Sequence, residues 1–487
     1  MRSLCNKSLF AKIRRTILPK SCLAPASRPL WPIPGPSLTA YTPPRYPGCT
    51  PETTVATRNY LQRDFEEHHG FFNYWGAHNH TAFHLLVQWS LGGTLEQIEA
   101  IWEQHVAQER GINMAPEPIT EKNFMDHLGD QDYYQGYEFF FSELLAKKSA
   151  DEVLEEWLFS DTANYGGKKP EMLNRLFAGI LHPMLYLGYG LEFSLPGLMA
   201  EGFGQACVHK MSSDVLIPRS FFTSGTGGSG SGEHAFTIAA RILKDPKFRA
   251  FKGNFDAVLA QLGPQLLNYA EQWHVDGSDD KEVMDKVREL CFMNTMFYVV
   301  GGWRTDGRKF YKADFTLVHL VTSVMTITSY VAVIKDPQHK SILLRAYFAR
   351  SLAYYIAQGL PALPLRSFFN EELPTEFPDP APESSEGVYP GAAAPNIWFK
   401  IIQSALVHPD DHLSKTQRTL AHFASLWGGA PAGEFADTEL PDSDFIDGTI
   451  FLRAAWLTAE WMGRAREGEP VRLWANDPNF PESDLAD

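Results

Sequence analysis

Apolar positions in this chain recur almost everywhere at helical spacing, while the alternating Val/Ile/Thr runs and tight hairpins that mark strands are scarce. That pattern predicts an all-α fold, a large multi-helix globular domain. The punctuation agrees: Gly92-Gly93 stops one helix, and Thr94-Leu95-Glu96-Gln97 has the Thr-x-x-Gln form of a capping box that opens the next. Helices are expected around Tyr134 to Lys147, Ala150 to Phe159, Glu171 to Phe193, Leu198 to Met211, Ala235 to Leu243, Phe255 to Trp273, Lys281 to Val300, Ile397 to Val407, Ser414 to Leu426 and Asp447 to Met462. The Pro-rich stretch from Leu360 to Pro395 cannot be regular helix and reads as a lid or mobile connector.

Phe315 to Ile334 carries no Asp, Glu, Lys or Arg and is nominally long enough to span a bilayer. Its polar seam of His319, Thr322, Ser323, Thr326 and Tyr330 suits the wall of a buried cavity better than lipid. A core helix, with no membrane contact, is therefore expected.

A formal net charge of -15 argues against nucleic acid as a partner, because phosphate binding needs clustered Lys and Arg. A small neutral or weakly acidic molecule fits better. The charge is uneven: residues 1–50 hold eight basic residues and no Asp or Glu. That composition suits a mitochondrial-type presequence, a disordered extension or a misassigned start. Residues 1–50 are accordingly read as a leader and 51–487 as a single helical catalytic domain. Cys5, Cys22 and Cys49 lie in the leader, leaving Cys207 and Cys291 in the body. No disulfide framework is expected, which fits a reducing compartment: the cytoplasm, or the mitochondrion if the leader is a targeting segment.

The densest chemistry lies between Phe72 and His84, in Tyr74-Trp75-Gly76-Ala77-His78-Asn79-His80-Thr81-Ala82-Phe83-His84. With Asn79 as the helix cap, His80 and His84 share a face, and His78 in the entering loop can turn towards them. The positive end of the helix dipole disfavours imidazolium, so such rings are neutral near pH 7 and able to accept a proton. Zinc or iron chelation by imidazoles at i and i+4 is the other sharp reading, although no Asp or Glu lies within the cluster. Separate hydrogen-bonding residues on a His-rich helix is the bland one.

A second stripe of His182, Tyr186, Tyr189 and Phe193 could hydrogen-bond and stack on a planar phenolic ligand, or be an aromatic core stripe with one satisfied histidine. Glu192 would join that network or lie on the surface. His319 stands out in its uncharged helix; burial would keep it neutral, as a base or as a core residue bonded to Ser323 or Thr322. Gly225-Thr226-Gly227-Gly228-Ser229-Gly230 fits G-x-G-x-x-G but lacks a convincing buried strand before it, so it reads as a flexible loop.

In this order, the segment from His78-Asn79-His80 to His84-Leu85-Leu86, the His182-Pro183 helix with Gly188-Tyr189-Gly190-Leu191-Glu192-Phe193, and Asp314-Phe315 to His319 resemble the landmarks of the questin oxidase-like family. Similarity continues through His408-Pro409-Asp410-Asp411-His412-Leu413-Ser414-Lys415 and from Trp456 to Met462, so the resemblance covers roughly residues 60 to 475. It implies a Baeyer-Villiger-type monooxygenase of fungal aromatic polyketide pathways that opens an anthraquinone, or its hydroquinone, with dioxygen. Some members of the family are described as needing NADPH and others as cofactor-independent. With no flavin or nicotinamide fold legible, no bound cofactor is expected, and NADPH would act earlier by reducing the quinone.

The roles implied are proton transfer for His78, His80 and His84, and holding of the phenol or carbonyl for His182 and His319. Trp75, Asn79, Phe83, Tyr186, Tyr189, Glu192 and Ser323 would contact the substrate. A His-ligated metal-dependent oxygenase and a non-catalytic carrier of an aromatic metabolite are the alternatives. The ring substituents of the substrate and the oligomeric state are not legible.

Overall fold

Helix caps written in the sequence set many element boundaries. Gln97 N donates to Thr94 Oγ1 (3.3 Å) while Thr94 N donates to Gln97 Oε1 (2.9 Å), the reciprocal capping box expected there. Asp279, Asp314, Asp336 and Asp410 each open a helix through a side-chain oxygen. The computed structural model describes residues 28–223, 232–304, 310–373 and 396–475. Within these, the longer helices are α1 (Pro51–Glu67), α2 (Thr81–Ser90), α3 (Leu95–Val106), α4 (Tyr134–Leu145), α5 (Ala178–Glu192), α6 (Pro196–Val208), α7 (Ala235–Lys244), α8 (Phe255–Ala270), α9 (Asp280–Val299), α10 (Phe315–Val333), α11 (Pro337–Ala357), α12 (Ile397–Ala405), α13 (Asp411–Trp427) and α14 (Ile450–Met462). The one sheet among the described residues is a two-residue antiparallel pair, Trp303–Arg304 with Phe310–Tyr311, so the all-α class holds.

The core is organised around α10, which is buried at every residue from Leu317 to Val331 against α5, α9, α11 and α13. This helix is apolar and long enough to cross a membrane, and here it is the central helix of the protein. Its polar seam bonds to neighbours: Tyr330 OH donates to Met184 O (3.0 Å), and Ser323 Oγ pairs with Tyr347 OH (2.8 Å). Gly188 lets α5 touch α10, since a Cβ there would lie 2.4 Å from Thr326 Cβ.

Two expectations are corrected. The helix expected from Glu171 to Phe193 is broken by a left-handed turn, with φ of 54°, 52° and 67° at Gly179, Ile180 and Leu181. Pro183 has no N–H to give Gly179 O, and the His182 ring supplies that bond instead, Nδ1 to Gly179 O at 2.5 Å. Left-handed backbone costs an L-residue ~1–2 kcal/mol, so Ile180 and Leu181 are held there by their surroundings.

The leader boundary at residue 50 also moves. Trp31 is buried, Arg28 N donates to Ala146 O (3.0 Å), Gly35 N to Phe193 O (2.6 Å) and Tyr46 N to Ser90 O (2.8 Å), so residues 28–50 pack on the helical body. Residues 1–27, the Gly225–Gly230 motif and the Pro-rich segment 374–395 lie outside the described residues.

Candidate active site: a buried imidazole cluster

The cluster begins in the loop before α2. Phe71 and His78 form an antiparallel bridge, Asn73 Oδ1 accepts from Trp75 N and Ala77 N (both 3.0 Å), and Gly76 turns at φ 93°. The bridge turns His78 inward and throws the tip of the loop outward. Trp75 is 94% exposed, which removes it from the proposed substrate contacts.

Inside, His80 Nε2 lies 2.9 Å from His182 Nε2, and His78 Nε2 lies 2.7 Å from His209 Nε2. The His78 and His182 rings stack at 4.0 Å with 3° between their planes. His319 is centred 5.2 Å from both His182 and His412, and His412 is 4.7 Å from His80. Residues from the pre-α2 loop and the starts of α5, α10 and α13 therefore meet at one place.

Four of these rings share a feature: Nδ1 faces an oxygen. His182 Nδ1 meets Gly179 O (2.5 Å), His319 Nδ1 meets Phe315 O (2.6 Å), and the Asp411 carboxylate lies 3.0 Å from His80 Nδ1 and 3.2 Å from His412 Nδ1. A carbonyl oxygen only accepts, so neutral His182 and His319 carry their proton on Nδ1 and a lone pair on Nε2. Nε2 of His319 and of His412 is buried without a hydrogen-bond partner. One donor atom from each of His80, Asp411 and His412 lies within 4.8 Å of the others.

Burial controls the charges. It pulls His80 down to about 4 although Asp411 opposes it, and His209 to about 4. His78, His182 and His319 are held well below the ordinary value by burial first and by neighbouring imidazoles second. Burial alone would raise the Asp411 carboxyl, but His412, His80 and Lys415 more than offset that and hold it well below the usual carboxylate range. Lys415, buried one turn along α13, sits 3.6 Å from Asp411 Oδ2 and 4.9 Å from the Phe83 ring centre. Trp474 closes the outer side, its Nε1 donating to Asp410 Oδ1 (3.0 Å) and its ring 6.3 Å from His412.

The other expected residues divide. Phe83 is a wall, 5.9 Å from the His80 ring and 4.5 Å from Tyr186. His84 turns to a different partner, its Nδ1 3.1 Å from His105 Nε2, behind the cluster. The helix cap is His80, without a side-chain cap bond, rather than the expected Asn79; Asn79 Oδ1 accepts from Thr81 N (2.8 Å) and its amide is committed to both Asp64 oxygens (3.1 Å each). Tyr186 OH donates to Asn79 O, Ser323 is bonded to Tyr347, and Glu192 forms a buried ion pair with Arg418 beside Tyr189. Tyr186, Ser323 and Glu192 are thus bonded within the scaffold, whereas the buried Tyr189 hydroxyl has no hydrogen-bond partner.

Sequence reasoning missed His209, Asp411, His412 and Lys415 as site residues. For the last three a signal existed: Asp411-His412-x-x-Lys415 opens a helix, and α13 carries all three into the cluster. A cavity of about 1,240 Å³ between Trp303, Phe368, Trp456 and Trp461 is lined by none of these groups.

Fold and site together define a helical protein built around a buried imidazole cluster with one carboxylate, an arrangement suited to proton transfer or to holding a metal ion. The family model for questin oxidase-like proteins matches residues 77–420, and the chain belongs to that family. It is an oxidase of this kind. It is 25% identical to the questin oxidase of Aspergillus terreus over 76% of this chain and 81% of the relative. It is 30% identical to the Baeyer-Villiger oxidase AgnL3 of Paecilomyces divaricatus (77% and 80% covered), and 24% identical to the Baeyer-Villiger oxidase mdpL of Emericella nidulans (88% and 91%).

Proposed function

We propose that the chain is a Baeyer-Villiger-type monooxygenase of fungal aromatic polyketide biosynthesis that opens an anthraquinone-type ring, taken as its electron-rich hydroquinone. The names of the relatives support the reaction class. The observation that carries the site is the meeting of His78, His80, His182 and His319, distant in sequence, in one buried cluster. One atom of dioxygen enters the ring as a lactone, the other leaves as water, and the hydroquinone supplies the two electrons. NADPH acts earlier and outside this site, reducing the quinone to the hydroquinone that enters.

Without a bound cofactor, a neutral imidazole takes the phenolic proton and so makes the ring a better electron donor to dioxygen. His80 is best placed, because Asp411 stabilises its protonated form. However, an imidazole held at about 4 is a weak base at neutral pH, far from the optimum near the operating pH.

The same rings suit ligation, and this favours a second reading in which His80, His182, His319 and His412 hold a metal ion. Each presents Nε2 while Nδ1 is fixed on oxygen, and Asp411 behind His80 and His412 is the outer carboxylate that metal-bound histidines commonly have. A bound iron would supply dioxygen activation and electron transfer. The chain's own contribution is to fix the ring orientations, keep Asp411 ionised and exclude bulk water with Trp474 and Phe315.

The test is metal analysis of protein purified without chelator, followed by anaerobic incubation with a reduced anthraquinone and admission of air. Oxygen uptake and ring-opened product that track stoichiometric iron support the metal reading. Equal turnover in metal-free protein supports imidazole base catalysis. Ligand binding with no oxygen uptake would end the ring-opening proposal and leave a carrier.

A further inference from the structure

A second cavity, about 270 Å³, runs from the surface to the outer face of the left-handed turn at Gly179 and Ile180. Its rim is polar, with Lys210 exposed and Ser212 Oγ donating to Asp256 Oδ1 (2.7 Å). One wall is aromatic: Phe255 and Tyr354 stack at 4.2 Å. Deeper in lies Arg350, 2% exposed, with its guanidinium 5.4 Å from the Phe255 ring centre. Arg350 Nη2 donates to Asn174 Oδ1, but Nε has no partner, and Asp214, Asp256 and Glu171 act on it only from a distance.

A buried guanidinium without a carboxylate in contact is costly unless something else satisfies it. The neighbouring Arg175 shows the contrast, because its donors are taken by the carbonyls of Pro170, Cys207 and His209. Arg350 has donor capacity left, and it borders a cavity near the lower end of the ~300–1,000 Å³ usual for small-ligand sites. The floor of that cavity is one backbone thick. A Cβ on Gly179 would lie 2.6 Å from both His78 Cε1 and His209 Cε1, so the imidazole cluster starts directly behind it.

We propose that this cavity binds a planar aromatic ligand through an acidic ring oxygen placed on Arg350, with the ring plane against Phe255 and Tyr354. Its reading as a holding subsite for the substrate, which must pass the Gly179 turn to meet the histidines, rests on the function proposed above. Phenolate and guanidinium form a charge-assisted pair, and the flat ring matches the stacked aromatic wall. The edge of the ligand away from Arg350 then faces Gly179 and the histidines behind it.

The test uses the full chain and 1,8-dihydroxyanthraquinone as probe, with binding followed by its visible absorption. Arg350→Gln should weaken binding at least tenfold, Arg350→Lys should restore part of it, and Met211→Trp, which fills the mouth, should block it. Glu143→Gln, on the exposed side of α4, should bind within about twofold of wild type. If Arg350→Gln does not fold, Met211→Trp decides. The pocket is overturned if wild type fails to bind the probe, or if the Arg350 and Met211 variants bind it as tightly as wild type does. Probe binding without oxygen uptake from the reduced form would sink the proposed function and leave the pocket standing. Ring opening with unchanged KM in Arg350→Gln would do the reverse.

Discussion

His80 and His182, 102 positions apart, bring their Nε2 atoms to 2.9 Å from each other. The proton on His182 is committed to Gly179 O through Nδ1, and His80 Nδ1 faces the ionised Asp411 carboxylate. Both Nε2 atoms are then lone-pair donors, and two lone pairs at that distance repel unless a proton or a metal ion lies between them. The pair is therefore one functional unit. His80→Ala and His182→Ala should each lower kcat by at least about 100-fold, and the double variant should be no worse than either, as expected of residues acting together. Steady-state oxygen uptake checks this, and additive losses would show that the two rings act separately.

Asp411 holds two rings at once, His80 at 3.0 Å and His412 at 3.2 Å. Asp411→Asn keeps the shape but loses the charge that favours Nδ1–H on both. Outer carboxylates of this type are worth ~10–100-fold in metal affinity or activity, so a loss of that size is expected in both metal content and kcat. Unchanged values for both would mean that the carboxylate does not orient the cluster.

How far this was legible in sequence follows from the range of the forces. Helix starts depend on neighbours three residues away, so the Thr94 box and the extents of α4, α9 and α10 could be read directly. The break at Gly179 could not, because it depends on Pro183, His182 and their packing acting together. His78, His80, His182 and His319 were recognisable as residues capable of the chemistry, yet which imidazole faces which is a tertiary fact. Trp75 was misread because a single positive φ at Gly76 decides which way the loop tip points. Glu192 found its partner, Arg418, on a helix far along the chain, beyond the reach of any local pattern.

Metal-free protein should be acid-sensitive in an unusual range. His69, His80, His84, His209 and His422 titrate at about 3 or 4 when folded but at about 6.5 when unfolded. Their folded values are depressed, so their contribution is fully present above the unfolded value and is lost as pH falls from 6.5 towards 4. Burial raises Glu109 and Glu138 to about 8, Asp314 to about 6, and Glu192, Glu201 and Glu460 as well, which opposes this slope. The depressed histidines, which also include His78, His105, His182, His234, His319, His339 and His408, outnumber them. Denaturant midpoints measured from pH 8 to pH 5 should fall steeply below 6.5. A flat profile from pH 7 to pH 5 would contradict the depressed values of these buried histidines.

Gly179 is where fold and chemistry meet most tightly. Its φ of 54° disfavours any L-residue, and an added methyl would meet His209 Cε1, His209 Nε2 and His78 Cε1, all at 2.6 Å. Gly179→Ala therefore carries ~1–2 kcal/mol of backbone cost, and relieving the overlap adds ~1–3 kcal/mol more. The two imidazoles can yield only by parting from each other, and Gly179 O cannot shift without moving the His182 ring bonded to it. Activity should thus fall by more than the fraction of unfolded protein explains. Comparing kcat per folded molecule with the shift in unfolding midpoint separates the effects: a stable variant with unimpaired turnover would mean that the turn does not hold the cluster in its working geometry.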